Sequence, residues 1–449
     1  MSTFLIFDLG TTLFKACLFD AAGGTVASAS VAAPVERPRE GWSQIDPAAF
    51  RAAIAHLAGR LRAAEPAAMD RVRRVSYATQ TNSFLLLDGR GEPVSPILLW
   101  NDVRADDGGA LRDLAGEADF AGRTGLASLD RQFAVAKLDW LRRADPPLWA
   151  SARRLCLIGD YLAWWLTGAH VTEAAAAGLT GLVDIHRLAW RDGPVRRLGL
   201  ERLALPAIGR AGEPVAPLAP DVAGRLGLPP GAHLHLGCLD QLAGAVGAGA
   251  VHPGDVCQTT GTVLSTVCLA DRFDPALAAR GVVQGPAIRP GLYYRMAFTL
   301  SANLLDAYRR EHAGDRTTAD LTDAAAAVAD DNLPELDAPA SEAAGRPVFR
   351  GVRPHHAHGH FVRAILYGAA ASLRDQVDRV CPDGRPREIR CAGGGARNLQ
   401  WLAIAADTLG IPMIQVDCDQ PTSRGAAWLA CPPQTAWPPP RTAALLRPR

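Results

Sequence analysis

Apolar and polar positions divide the chain into short blocks from its start. Phe4, Leu5, Ile6 and Phe7 run together and stop at Asp8. Gly10, Thr11 and Thr12 follow, and a second apolar run from Ala16 to Phe19 stops at Asp20. Two strands joined by a glycine-containing turn are predicted, with a third strand at Gly24–Ala27. Asp46 then Pro47 is a cap followed by a first-turn proline, and Phe50, Ile54, Leu57 and Leu61 recur at helical spacing behind it. Strands are predicted at Arg73–Ala78, Phe84–Leu87 and Ile97–Trp100. The first ends in the polar run Thr79–Ser83 and the last in Asn101–Arg104. Polar clusters at strand ends are where α/β proteins place their chemistry.

Residues 133–168 read as helices, with Trp140, Trp164 and Trp165 as core. The stretch 205–231 is rich in Pro and Gly and reads as a connector between domains. After it the pattern begins again. His233–Gly237 reads as a strand entering Cys238-Leu239-Asp240-Gln241, and a small-residue helix follows. Asp255–Gln258 and Val263–Leu269 flank Thr259-Thr260-Gly261-Thr262, a second strand–turn–strand in the format of the first. A strand at Arg387–Ala392, the glycines 393–395 and a helix over Leu399–Leu409 complete the half. The repetition predicts a duplicated fold whose halves face each other across a nucleotide. We expect two domains, 1–232 and 233–449.

Composition narrows the class without choosing a function. A chain of 449 residues with 48% hydrophobic side chains supports more than one domain. With 47 basic and 46 acidic residues, it has no charge excess to suit nucleic acid or a membrane surface. Nine cysteines, none in a CxxC pair, read as reduced buried thiols of a cytoplasmic protein. The start lacks a signal-peptide pattern, and no apolar run is long enough to span a bilayer.

The chemistry-bearing residues sit in the turns. Backbone N–H groups and the hydroxyls of Thr11 and Thr12 suit an anion. A carboxylate at the strand end, Asp8, suits a hydrated Mg²⁺. On its own the hairpin reads equally well as a polar turn. The glycine triplet lets a flat ligand lie against the backbone.

Taken in order, seven segments resemble the FGGY carbohydrate kinases of the actin/hexokinase/Hsp70-like α/β fold: DLGTTLFKACLFD at 8–20, GWSQIDP at 41–47, TQTNSFLLLD at 79–88, PILLWNDVR at 96–104, GCLDQLAGAVGAGAVHPGD at 237–255, TTGT at 259–262 and GGGARN at 393–398. The resemblance implies transfer of the γ-phosphoryl of ATP to a small sugar or polyol, a ketopentose such as xylulose first. It implies Asp240 as general base and Asp8 holding Mg²⁺ through water. Thr11, Thr12, Gly261 and Thr262 would hold phosphates, and Gly394, Gly395 and Asn398 would line the adenosine. Thr81, Asn82, Trp100, Asp102 and Gln241 would meet sugar hydroxyls. A homodimer is common in the family. Lys15 reads as a phosphate contact or a solvated turn lysine, and Arg104 as a partner of Asp102 or of substrate.

Three segments depart from the pattern. Thr81-Asn82 stands where xylulokinases carry Met-His and glycerol kinases Arg-Glu. The segment 347–354 is short and is followed by His355, His356, His358 and His360. The tail after Cys431 is proline-rich and lacks the family's closing helices. Alternatives to a xylulose-type kinase are a glycerol, erythritol or other polyol kinase, an actin- or chaperone-like ATPase, and a catalytically inactive sugar-binding homologue.

Overall fold

A computed structural model describes residues 2–260, 264–299, 304–432 and 437–448. The chain forms two compact units. The first comprises 1–247, 271–294 and 422–438, and the second 248–270, 295–421 and 439–449.

The first unit is built on a seven-stranded sheet. Its opening hairpin pairs Thr3–Leu9 with Leu13–Phe19, and Thr25–Ala32 adds antiparallel to the second strand. The Val72–Thr79 strand lies parallel to the first, so Asp8 stands opposite Lys15 on one side and Ala78 on the other. Every residue of the first strand is buried, because a strand between two neighbours in a covered sheet has no solvent face. The Pro47–Ala64 helix covers one face with Phe50, Ile54, Leu57 and Leu61. It starts where expected, the Asp46 carboxylate accepting the N–H groups of Ala48 and Ala49.

In the second unit the strand order repeats. Tyr293–Thr299, Leu264–Ala270, Val256–Thr260 and Ile389–Gly393 are neighbours in that sequence. The Val256–Thr260 strand is antiparallel to its hairpin partner and parallel to Ile389–Gly393, as Thr3–Leu9 is to its own neighbours. Met413–Asp417 extends the sheet in parallel.

Two expectations are corrected. The segment 205–231 is not a connector between domains. Ala207–Gly209 pairs with Val171–Glu173, Pro214–Pro217 pairs antiparallel with His233–His235, and Val222, Leu226 and Leu228 are core. The expected boundary at 232/233 therefore falls inside the first unit: His233–His235 and Cys238–Leu239 both pair parallel with Val72–Thr79, so backbone hydrogen bonds hold 233–247 to the first sheet. The tail, expected to lack the family's closing helices, supplies a strand, Arg441–Leu446, antiparallel to Met413–Asp417.

Candidate active site

Two carboxylates anchor the first unit's site. Asp8 lies at the end of its buried strand and is 8% exposed. Desolvation pushes it up to about 6, opposed by Lys15, whose Nζ is 3.8 Å away. Lys15 is therefore a partner of Asp8. Asp240 opens the Asp240–Gly247 helix just after the Cys238–Leu239 strand, and its Oδ1 accepts the N–H of Gln241 at 2.7 Å. The side chain is partly open, yet desolvation and then the charge of Asp8 push it up to about 7. Strand approach behind it is close: a Cβ on Gly237 would lie 2.1 Å from the Tyr77 ring, so only glycine lets this segment meet the sheet.

The turn between Asp8 and Lys15 needs its glycine too. A Cβ on Gly10 would lie 2.9 Å from the carbonyl oxygen of Leu13. Thr12 is exposed at the tip. The Thr11 hydroxyl is drawn into a ring of hydrogen bonds, accepting from Trp100 Nε1 at 2.8 Å and facing Gln80 Oε1 at 3.4 Å. Ser83 Oγ closes the ring, donating to Gln80 Oε1 and accepting the N–H of Trp100. Gln80 and Ser83 escaped notice in the sequence. Their position inside the singled-out polar run was the available signal, but the ring joins residues 11, 80, 83 and 100, which no local pattern connects.

The expected sugar contacts separate into two groups. Trp100 and Gln241 are partly exposed beside this chemistry. Thr81 and Asn82 are turned to the scaffold, with Thr81 Oγ1 donating to Ala176 O at 3.0 Å and Asn82 Nδ2 to Leu179 O at 3.1 Å. Asn82 also accepts the N–H of Ala134 and has φ 57°, a left-handed backbone that asparagine tolerates. Asp102 is a correction. Its carboxylate is 0% exposed and takes the Ser43 and Arg104 N–H groups and the Arg104 guanidinium. Arg104 in turn lies 3.8 Å over the Trp42 ring. A carboxylate enclosed this way has no face left for a sugar. Lys137 also escaped sequence reasoning: it is fully buried, bonds Gln132 O and Trp100 O, and is pushed down to about 7 by burial.

In the second unit, Gly394 and Gly395 lie in a 3₁₀ turn after the Ile389–Gly393 strand, and Gly394 has open space where a side chain would point. Asn398 caps the Leu399–Leu409 helix, its Oδ1 accepting the N–H of Trp401 at 3.0 Å. Gly261 and Thr262 lie outside the described residues. The histidines at 355–360 serve local structure: His356 Nδ1 accepts the Arg353 N–H, His360 Nδ1 accepts the Ala357 N–H, and His358 Nδ1 meets the Tyr308 hydroxyl. Among the described residues, no three His, Cys, Asp or Glu side chains are grouped to hold a metal. None of the nine cysteines is in a disulfide.

A duplicated sheet in which each antiparallel hairpin adjoins a parallel strand defines the two-domain actin/hexokinase-like class. Comparison with known proteins makes the class specific. The N-terminal domain model of the FGGY family of carbohydrate kinases matches residues 3–247, and its C-terminal domain model matches 259–432. The chain belongs to the FGGY family of carbohydrate kinases, phosphotransferases that act on sugar hydroxyls with ATP as donor. It is 26% identical to a xylulose kinase of Lactococcus lactis, over 96% of this chain and 87% of that one. It is 29% identical to a glycerol kinase of Gloeobacter violaceus, over 95% and 87%. A crystal structure of a xyloylose kinase from Brucella ovis superposes with a TM-score of 0.88 at 26% identity, covering 100% of this chain and 95% of that one. No helix among the described residues is long and apolar enough to cross a membrane.

Proposed function

We propose that this kinase passes the γ-phosphoryl of ATP to a hydroxyl of a small sugar or polyol, a ketopentose such as xylulose first, with Asp240 as the general base. The observation that carries the reading is the Asp240 carboxyl itself. It stands at a strand end and helix start, partly open, and is pushed up to about 7. An alcohol is a poor nucleophile, and a base poised near the working pH removes its proton most effectively as attack develops. Asp8 suits Mg²⁺ through water: it is a carboxylate at a strand end, raised by burial and incompletely balanced by one distant lysine. The ion, when bound, neutralises charge on the phosphates.

Thr12 and the N–H groups of the first turn, with Gly261 and Thr262, are the phosphate-holding residues in this reading. Gly394, Gly395 and Asn398 serve the adenosine. Gln241 and Trp100 meet the acceptor directly. Thr81 and Asn82 contribute through the backbone they shape, because their side chains are committed to Ala176 O and Leu179 O. The relatives named xylulose kinase favour a ketopentose; those named glycerol kinase keep polyols in the screen.

The test is ADP release over ketopentoses, tetroses and alditols, with wild type and Asp240→Ala in parallel. The expected outcome is acceptor-dependent ADP and a phosphorylated product from wild type alone, with ATP binding kept in the variant. Near-normal turnover in Asp240→Ala would sink the base assignment. ATP turnover that no acceptor stimulates would favour a chaperone-like ATPase, and tight sugar binding without product an inactive homologue.

A further inference from the structure

We propose that Glu173 is a positioning residue for acceptor chemistry, holding in one register the strand end that carries Asp240 and the loop that carries Thr81 and Asn82. This rests on the reading of Asp240 as the base. Glu173 ends the Val171–Glu173 strand and is 4% exposed. Its Oε1 accepts the N–H of Ala175 at 2.8 Å. Its Oε2 accepts two more, from Ala176 at 3.0 Å and from Leu239 at 3.2 Å. Leu239 is the residue immediately before Asp240. The bond to its N–H holds the Cys238–Leu239 peptide, the one just before the peptide that joins Leu239 to Asp240.

The other two bonds cap the helix Ala174–Gly178. Five residues cannot hold a helix in water unaided, so this one depends on its cap. Its far end receives the acceptor loop, Thr81 Oγ1 bonding Ala176 O and Asn82 Nδ2 bonding Leu179 O. Asn82 then reaches Ala134 N–H at 3.0 Å. The chain of contacts runs from Leu239 through one carboxylate and one helical turn to residues 81 and 82. Burial pushes Glu173 up to about 7, opposed by its three N–H donors and by Arg210. The protein thus keeps a carboxyl where an apolar residue would bury more readily, and three convergent donors give the reason.

Glutamine at this site has one acceptor oxygen, and its NH₂ group must face an N–H. Aspartate keeps the charge and the helix cap but is one carbon too short to reach Leu239 as well. The experiment compares Glu173→Gln and Glu173→Asp with wild type at a temperature where each is fully folded, using the acceptor found in the screen. Glu173→Gln is expected to lower kcat about 10- to 100-fold, as a misplaced catalytic group does. KM for ATP should stay within about twofold, because no ground-state contact to nucleotide is removed. Glu173→Asp is expected to lose less kcat with the same unchanged KM for ATP, and it carries the test if the glutamine variant does not fold. Wild-type kcat in the folded variants would overturn the proposal.

Amide hydrogen exchange at Leu239 needs no turnover and separates this proposal from the one beneath it. If wild type phosphorylates no acceptor, the base reading has failed. Faster exchange at Leu239 in the variants, with exchange in Thr3–Leu9 unchanged, still supports Glu173 as the brace. Exchange at Leu239 as in wild type overturns it.

Discussion

Asp240 and Asp8 show what burying two carboxyls costs a protein. Both are carboxyls raised by burial, Asp240 from 3.8 to about 7 and Asp8 from 3.8 to about 6. A carboxyl whose folded value is raised binds more protons folded than unfolded between those values. Stability therefore falls as pH rises through that window and is flat above it. Asp240→Asn removes the penalty. We expect it to raise Tm at pH 8 by a few degrees in the presence of a chelator, at about 1 °C per kcal/mol for a chain of 449 residues. The gain should vanish near pH 4, where both carboxyls are protonated. A thermal shift that is the same at pH 4 and pH 8 would contradict these values. Asp102 is a structural carboxylate. Its pairing with Arg104 is buried on both sides, at 0% and 4% side-chain exposure. Breaking one partner of such a pair leaves an uncompensated charge and costs about 3–5 kcal/mol. Arg104→Met should lower the chemical denaturation midpoint accordingly, whereas a substrate-binding residue would move KM and leave the midpoint alone.

At the scale of elements, the hairpins were legible because their signal is local: an apolar run, a polar turn, an apolar run. The Pro47–Ala64 helix was legible for the same reason, announced by its cap Asp46, whereas the cap of Leu399–Leu409, Asn398, was read only as a ligand contact. The Pro/Gly-rich stretch 205–231 misled because its strands are short and make their hydrogen bonds with partners far along the chain, Val171–Glu173 among them. Composition recorded the turns and missed the pairing. The polar strand ends at 79–83 and 100–104 were legible, but the directions of their side chains were not. Whether Asp102 faces a sugar or an arginine depends on Ser43 and Trp42, which lie about sixty positions away in the chain. The hairpin also makes an expectation of its own. In Gly10→Ala the added methyl meets the Leu13 carbonyl, so the turn must open. The variant should bind ATP at least about tenfold more weakly by calorimetry, equivalent to about 1.4 kcal/mol, while its Tm stays close to wild type. Unchanged ATP affinity would remove this turn from the phosphate site.

For the molecule as a whole, duplication was readable and continuity was not. Each unit has its own sheet, yet neither is one stretch of sequence: the first unit takes back 271–294 and 422–438 after the chain has gone on to build the second. Because 205–231 is woven into the first sheet and not strung outside it, limited proteolysis of the folded protein should leave it intact. Early cleavage there would contradict the pairing of Pro214–Pro217 with His233–His235.

Trp437 gives that late return a physical form. It is 5% exposed and packs edge-on to Phe4 at 5.4 Å and beside Phe19 at 6.0 Å. Gly23 has no side chain where its ring lies. Residues at the two extremes of the chain thus complete one core. During synthesis, the packing of this hairpin waits until Trp437 has been made. A truncation that removes Trp437 leaves the core around Phe4 and Phe19 unfinished.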